Sequence, residues 1–214
     1  MMDIVIISIA IVSLIVSVMT FYFTQLQSSK LKVLHGDTIL MYYYYYSTGG
    51  GFLGILVPST FINTSHRTGI IFKCVLTLTK IDNPQDIYYI EWNSFHIRDS
   101  VNDKWVFDEL SHPVIVAGRS SIYKTILYTW NSPPNPEFII KEGTYDFSIY
   151  SWISYDKKPT IISRHRLHIT KEHADKLLQY KEEKKSTTVK VILDKAIDEN
   201  RLMTPYEIKT LLGQ

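Results

Sequence analysis

The chain has a single cysteine, Cys74, among its 214 residues. That excludes an internal disulfide framework and fits a reducing compartment. An excess of one charge is also missing. The formal net charge is +2, so no global field argues for nucleic acid, and no direct nucleic-acid contact is expected. No Lys or Arg precedes Lys30, so the basic start of a secretory signal peptide is absent. Helical periodicity is scarce between positions 30 and 170. After Gly49-Gly50-Gly51 there is no Gly-Lys-Ser/Thr step. The run therefore reads as a hairpin turn, not a phosphate-binding loop.

What is present begins with residues 4–23, IVIISIAIVSLIVSVMTFYF, a stretch without a charge. Twenty such residues at 1.5 Å rise span about 30 Å, the thickness of a bilayer's hydrocarbon core. The stretch is longer and bulkier at its end than a signal peptide's apolar segment. The expectation is a transmembrane anchor with its exit segment over residues 1–29. Ser13 and Ser17 are four apart and share a helix face, which marks them as helix-association positions. Phe21, Tyr22 and Phe23 suit an aromatic belt. Lys30 and Lys32 flank only the C-terminal side, so the positive-inside rule places the following domain in the cytoplasm. The predicted location is the cell membrane, with a single pass.

The chain has 15 Tyr, 9 Phe and 4 Trp. Together with many β-branched residues, these make the middle of the chain sheet-like. Strands are predicted over 30–34, 38–46, 53–63, 70–81, 87–97, 104–107, 112–116, 120–130, 144–156 and 161–170. In the Tyr42–Tyr46 run, Tyr42, Tyr44 and Tyr46 should point one way and Tyr43 and Tyr45 the other. Cys74 falls in the apolar row of its strand, which makes it a core residue rather than a nucleophile. The Asn131-Ser132-Pro133-Pro134-Asn135-Pro136 loop does not suit sheet interior. Many strands at this spacing predict an antiparallel two-sheet sandwich over 30–170, immunoglobulin-like in architecture only. Residues 171–214 read as a helical tail. KEHADKLLQYKEEKK over 171–185 is one helix. Residues 189–199, with Ile192, Leu193, Ala196 and Ile197 on one stripe, are a second. Thr204-Pro205-Tyr206-Glu207 then starts a third, and the last two make a short helical hairpin.

Sites for chemistry are sparse. His165 and His168 should face opposite sides of a strand, so with His173 they do not make a zinc site. Asp198-Glu199-Asn200 lacks the residues a calcium loop needs at its fifth and sixth positions. Ser120 and Ser121 lack a nucleophile elbow. Asp99, Asp103, Asp108 and Glu109 read as a solvated acidic loop. Arg164, Arg166 and His168 alternate along one strand face, with Lys157 and Lys158 in the preceding turn. This set is the predicted anion- or lipid-binding face. No catalytic residue, metal site or cofactor is expected.

Leu56-Val57-Pro58, Phe61-Ile62-Asn63-Thr64, Thr68-Gly69, Gly118-Arg119-Ser120-Ser121 and Glu142-Gly143-Thr144-Tyr145 carry one resemblance. Over residues 1–170 the chain resembles uncharacterised prokaryotic proteins with one N-terminal membrane helix and a β-sandwich, a family that implies no activity. Residues 192–212 are similar to short C-terminal helical hairpins thought to mediate oligomerisation. They depart from these in having Asn200-Arg201 where a Gly is common. The functional expectation is a membrane-anchored, non-enzymatic interaction module that binds a protein partner, another copy of itself or an anionic lipid. The rival expectation is an effector of a prokaryotic defence system that oligomerises and permeabilises the bilayer. An envelope protein with its domain outside the cytoplasm is a third reading.

Overall fold

The computed structural model describes residues 2–22, 28–46, 50–102, 104–155 and 158–194, with side chains in the first helix from residue 5 onward. The elements run α1 (Met2–Phe21), β1 (Leu31–His35), β2 (Thr38–Tyr45), β3 (Gly51–Asn63), β4 (Gly69–Ile71), β5 (Lys73–Lys80), β6 (Ile87–Asp99), β7 (Lys104–Leu110), β8 (Val114–Val116), β9 (Ser120–Ser132), β10 (Gly143–Trp152), β11 (Ile161–Ile169), α2 (Lys171–Glu182) and β12 (Val189–Ile192). Most strands overlap the ranges that alternation predicts, but the expected strand over 70–81 is divided between β4 and β5, and β12 falls where a helix was expected.

Their assembly corrects the expected two-sheet sandwich. Ten strands form one antiparallel sheet in the order β11-β10-β5-β6-β9-β3-β2-β12, with β1 added to β3 and β7 to β6. Among the described residues, only β4 and β8 pair separately. The long sheet curls until its two ends meet. Leu167 on β11 bridges Leu193 just after β12. The Asp194 N–H donates to Arg166 O at 2.7 Å. The Arg166 N–H returns a bond to Asp194 Oδ1 at 2.7 Å. The result is a nearly closed barrel with one thin seam. Closure removes most of the unpaired edge that an open sheet would expose.

Three strands of thirteen residues, β3, β6 and β9, make the curl possible. β3 pairs with β9 along its whole length. On its other side it holds β2 up to Leu56 and β1 from Ser59. Pro58 sits in that gap, where its missing N–H deprives no neighbour. Its carbonyl still accepts the Gly36 N–H at 2.8 Å. β6 shifts register between Trp92 and Ser94 and again between Phe95 and His96. Such bulges sharpen the local twist. The expected hairpin turn at the Gly run falls partly on residues 47–49, outside the described residues; β2 and β3 on either side pair antiparallel, and Gly51 is required there, since a Cβ would lie 2.2 Å from Tyr44 O.

The interior rows are apolar. Ile39 and Met41, Leu53, Ile55 and Val57, Cys74, Leu76 and Leu78, Phe147 and Ile149, Leu167, and Val189 and Val191 are all buried. Tyr43 is buried with them, while Tyr44 is exposed on the outer face. The Cys74 thiol lies 3.3 Å from Ser151 Oγ, and burial pushes its pKa up to about 12. It is a core residue and no nucleophile.

The tail is corrected too. α2 fills 171–182, capped by Thr170, whose Oγ accepts the His173 N–H at 3.2 Å. Residues 189–192 are a strand instead of the expected helix. Val189 and Val191 point into the core while Lys190 points out, a period of two that β2's free edge captures. The rest of the expected hairpin, residues 195–214, lies outside the described residues.

The transmembrane expectation is likewise corrected. Among the described residues, no helix is long and apolar enough to cross a membrane. Every described side chain of α1 is exposed, and among the described residues no strand or helix packs extensively on it.

Candidate functional site

The outer face of β6, β5, β10 and β11 carries a grid of polar side chains set by strand register. One row runs Tyr89, Thr77, Ser148, Arg164. The next runs Ile87, Thr79, Asp146, Arg166. Directly opposed residues on neighbouring strands place their Cβ atoms about 5 Å apart. Together with Tyr150, His165 and Asp194, most of this grid lines an open cleft of about 580 Å³.

The charges in the cleft differ in how far they are matched. Arg166 Nη1 pairs with Asp146 Oδ1 at 3.0 Å. Asp194 accepts from His165 Nδ1 at 2.6 Å and from the Arg166 N–H at 2.7 Å. Burial alone would raise the Asp194 carboxyl, but those two hydrogen bonds outweigh it and hold it below the usual carboxylate range. Both acids therefore have partners. Arg164 is different: it is exposed, and no side chain among the described residues pairs with it. It stands beside Ser148, 8% exposed, with Thr77 next in the row. One guanidinium and two hydroxyls in line make a donor set for an oxyanion.

The predicted anion face is thus partly assembled. Arg164, Arg166 and His168 do share the outer face of β11. Asp146 takes up Arg166, and His168 Nδ1 is 3.1 Å from Thr144 Oγ1. Lys158 is exposed in the turn before β11, and Lys157 lies outside the described residues. Ser13 and Ser17 are exposed on α1. The three histidines weighed for zinc have separate tasks: His165 on Asp194, His168 on Thr144, and His173 in the α2 cap. Among the described residues, no cluster of His, Cys, Asp or Glu has the geometry for a metal ion.

Sequence reasoning missed the seam beneath this cleft. His35 Nδ1 lies 2.9 Å from Ser59 Oγ, and its ring stands edge-on to His165 at 6.1 Å between centroids. Its Nε2 is buried and has no hydrogen-bond partner among the described residues. Burial, then the neighbouring His165, lowers the His35 pKa to about 4. The Ser–His contact resembles half a catalytic pair. However, Ser59 is 1% exposed, so a substrate has no approach to its oxygen. No local signal joins His35 to His165, because they meet only when the barrel closes.

No family model, curated protein or solved structure matches this chain.

Proposed function

We propose that this chain is a non-enzymatic binding module held against a lipid surface by α1, with the Arg164 row taking an oxyanion such as a lipid headgroup phosphate. The observation that carries the reading is the state of α1. Its large apolar side chains are between 52 and 65% exposed around the whole circumference. A helix apolar on every side belongs inside a protein or in lipid, and the barrel does not cover it. Seating it in an apolar layer does not require that it cross.

Magnitudes divide the work between helix and barrel. Burying five such side chains contributes about 8–15 kcal/mol before ordering costs. One arginine near an anionic leaflet adds about 1 kcal/mol. So α1 supplies attachment, and Arg164 supplies a preference for what the barrel face meets.

The test is binding of the full chain to vesicles of phosphatidylcholine alone and of phosphatidylcholine with phosphatidylserine or a phosphoinositide, with inorganic phosphate as a competitor. The expected result is attachment to all three, several-fold tighter to the anionic ones. Arg164→Glu should erase that preference and leave attachment to neutral vesicles intact. An unchanged preference in Arg164→Glu would remove the oxyanion row from the reading. Loss of the preference with inorganic phosphate alone would assign the row to free phosphate rather than to lipid.

A further inference from the structure

The barrel has a second concavity that the outer-face reading leaves unused. It opens at the mouth framed by the β2–β3 hairpin, the end of β9 and the C-terminal end of α2, and holds about 300 Å³. That is the lower end of the range for small-molecule sites, which favour barrel mouths and apolar walls. The walls are aromatic: Tyr45, Trp130 and Phe138 line them, with Tyr43 below.

These walls are held in place. Trp130 Nε1 donates to Pro136 O at 2.8 Å. Phe138 is stacked on Tyr88 with centroids 3.6 Å apart. The Tyr43 hydroxyl donates to Phe138 O at 3.0 Å and accepts the Ile140 N–H at 3.2 Å. A site whose rings are fixed before a ligand arrives loses little ordering entropy on binding.

One polar atom in the walls has no partner among the described residues. The Tyr45 hydroxyl oxygen is covered and makes no hydrogen bond to them, although a buried phenol normally finds one. Burial, and Glu137 after it, raises the Tyr45 phenol, so it stays a donor at neutral pH. The rim holds three charges. Lys181 Nζ pairs with Glu137 Oε1 at 2.5 Å and lies 5.8 Å from the Tyr43 ring centroid. Lys184 also lines the mouth, and no side chain among the described residues pairs with it. The rim is therefore one positive charge in excess. The negative end of the α2 dipole favours cations there, but it is spread over several carbonyls.

We propose that this mouth binds a small carboxylic acid with an aromatic or short acyl body. The body fills the ring-lined cavity, the Tyr45 hydroxyl donates to the ligand, and the carboxylate meets Lys184 at the rim. A cationic ligand of the same shape is disfavoured by Lys181 and Lys184, and an alcohol forfeits the charge-assisted bond.

The test is isothermal titration of the full chain in lipid nanodiscs with 3-phenylpropionate, 3-phenylpropanol and 3-phenylpropylammonium. The acid should bind about tenfold more tightly than the alcohol, and the ammonium should give no heat. Lys184→Ala should weaken the acid about tenfold and leave the alcohol unchanged. Tyr45→Phe should weaken the acid about fivefold while the melting temperature of the ligand-free protein stays level or rises, since a buried unpaired hydroxyl is being removed. That pairing separates ligand recognition from a structural role for the ring. No heat with the acid would overturn the proposal. So would ammonium or alcohol binding as tightly, or an acid affinity untouched by both substitutions.

Discussion

Two segments of similar apolar character meet opposite fates. β3, with Leu53, Ile55, Val57 and Phe61, is enclosed, and those four side chains are at most 2% exposed. α1 leaves every described side chain in the open. The difference is one of partners. β3 has β9 along its full length and β2 and β1 on its other side, whereas no other described element packs extensively on α1. Apolar content decides that a segment leaves water. Pattern and neighbours decide what it leaves water for. In β3 that is the rest of the chain; in α1, on the reading proposed above, it is lipid.

The widest break in this comparison comes from truncating one side chain in each segment. Phe61→Ala should lower the unfolding free energy of the barrel by about 3–5 kcal/mol, since the strands around it cannot collapse into the void. Leu14→Ala should leave that free energy unchanged in chemical denaturation. A barrel destabilised by both would mean that α1 shares the core.

Acid sharpens the comparison, because residues 4–21 of α1 contain no ionisable group, whereas the barrel encloses His35. Its folded pKa of about 4 lies below the ordinary 6.5, so the unfolded chain takes up the proton first as pH falls. Stability is therefore full above about pH 6.5 and is lost down to about pH 4, by about 3 kcal/mol in all from this group. Denaturant midpoints measured across that window should fall with acid in the native chain and fall less in His35→Gln.

The seam offers a smaller test. Asp194 holds it with its own N–H, a carboxylate on the Arg166 N–H and a bond from His165. It sits at φ 59, a backbone position that Asn also tolerates. Asp194→Asn should therefore keep the turn and weaken the side-chain bonds, costing about 1–2 kcal/mol. Hydrogen exchange should speed up at Arg166 and Leu167 and stay slow along β3 and β9. The smallest effect belongs to the exposed Arg166–Asp146 pair: Asp146→Ala should cost under about 1 kcal/mol.

Much of this was readable in the sequence, and what was not has a common cause. The period-two alternation placed the strands, seated Cys74 in the core and put Arg164, Arg166 and His168 on one face. Alternation looks the same in a sandwich and a barrel, however. The continuous ten-strand order and the meeting of Leu167 and Arg166 with Leu193 and Asp194 distinguish them, and no local pattern announces either. The same blindness misread residues 189–192. Their valines suit a strand, but the following Ala196 and Ile197 made a helical stripe look continuous, and the free edge of β2 decided the matter. Arg166 looked like an open cation because Asp146, its partner, lies on the neighbouring strand. The mouth at Tyr45, Trp130 and Lys181 draws on four separate stretches, so only the alternating tyrosines hinted at it.

The most direct test of the account is flotation of the full chain with neutral vesicles, run beside a thermal melt of the barrel, for the native sequence and for Ile11→Glu with Ile15→Glu. The account predicts that the two glutamates abolish flotation and leave the barrel's melting temperature unchanged. Continued flotation, or a barrel that melts lower, would contradict it.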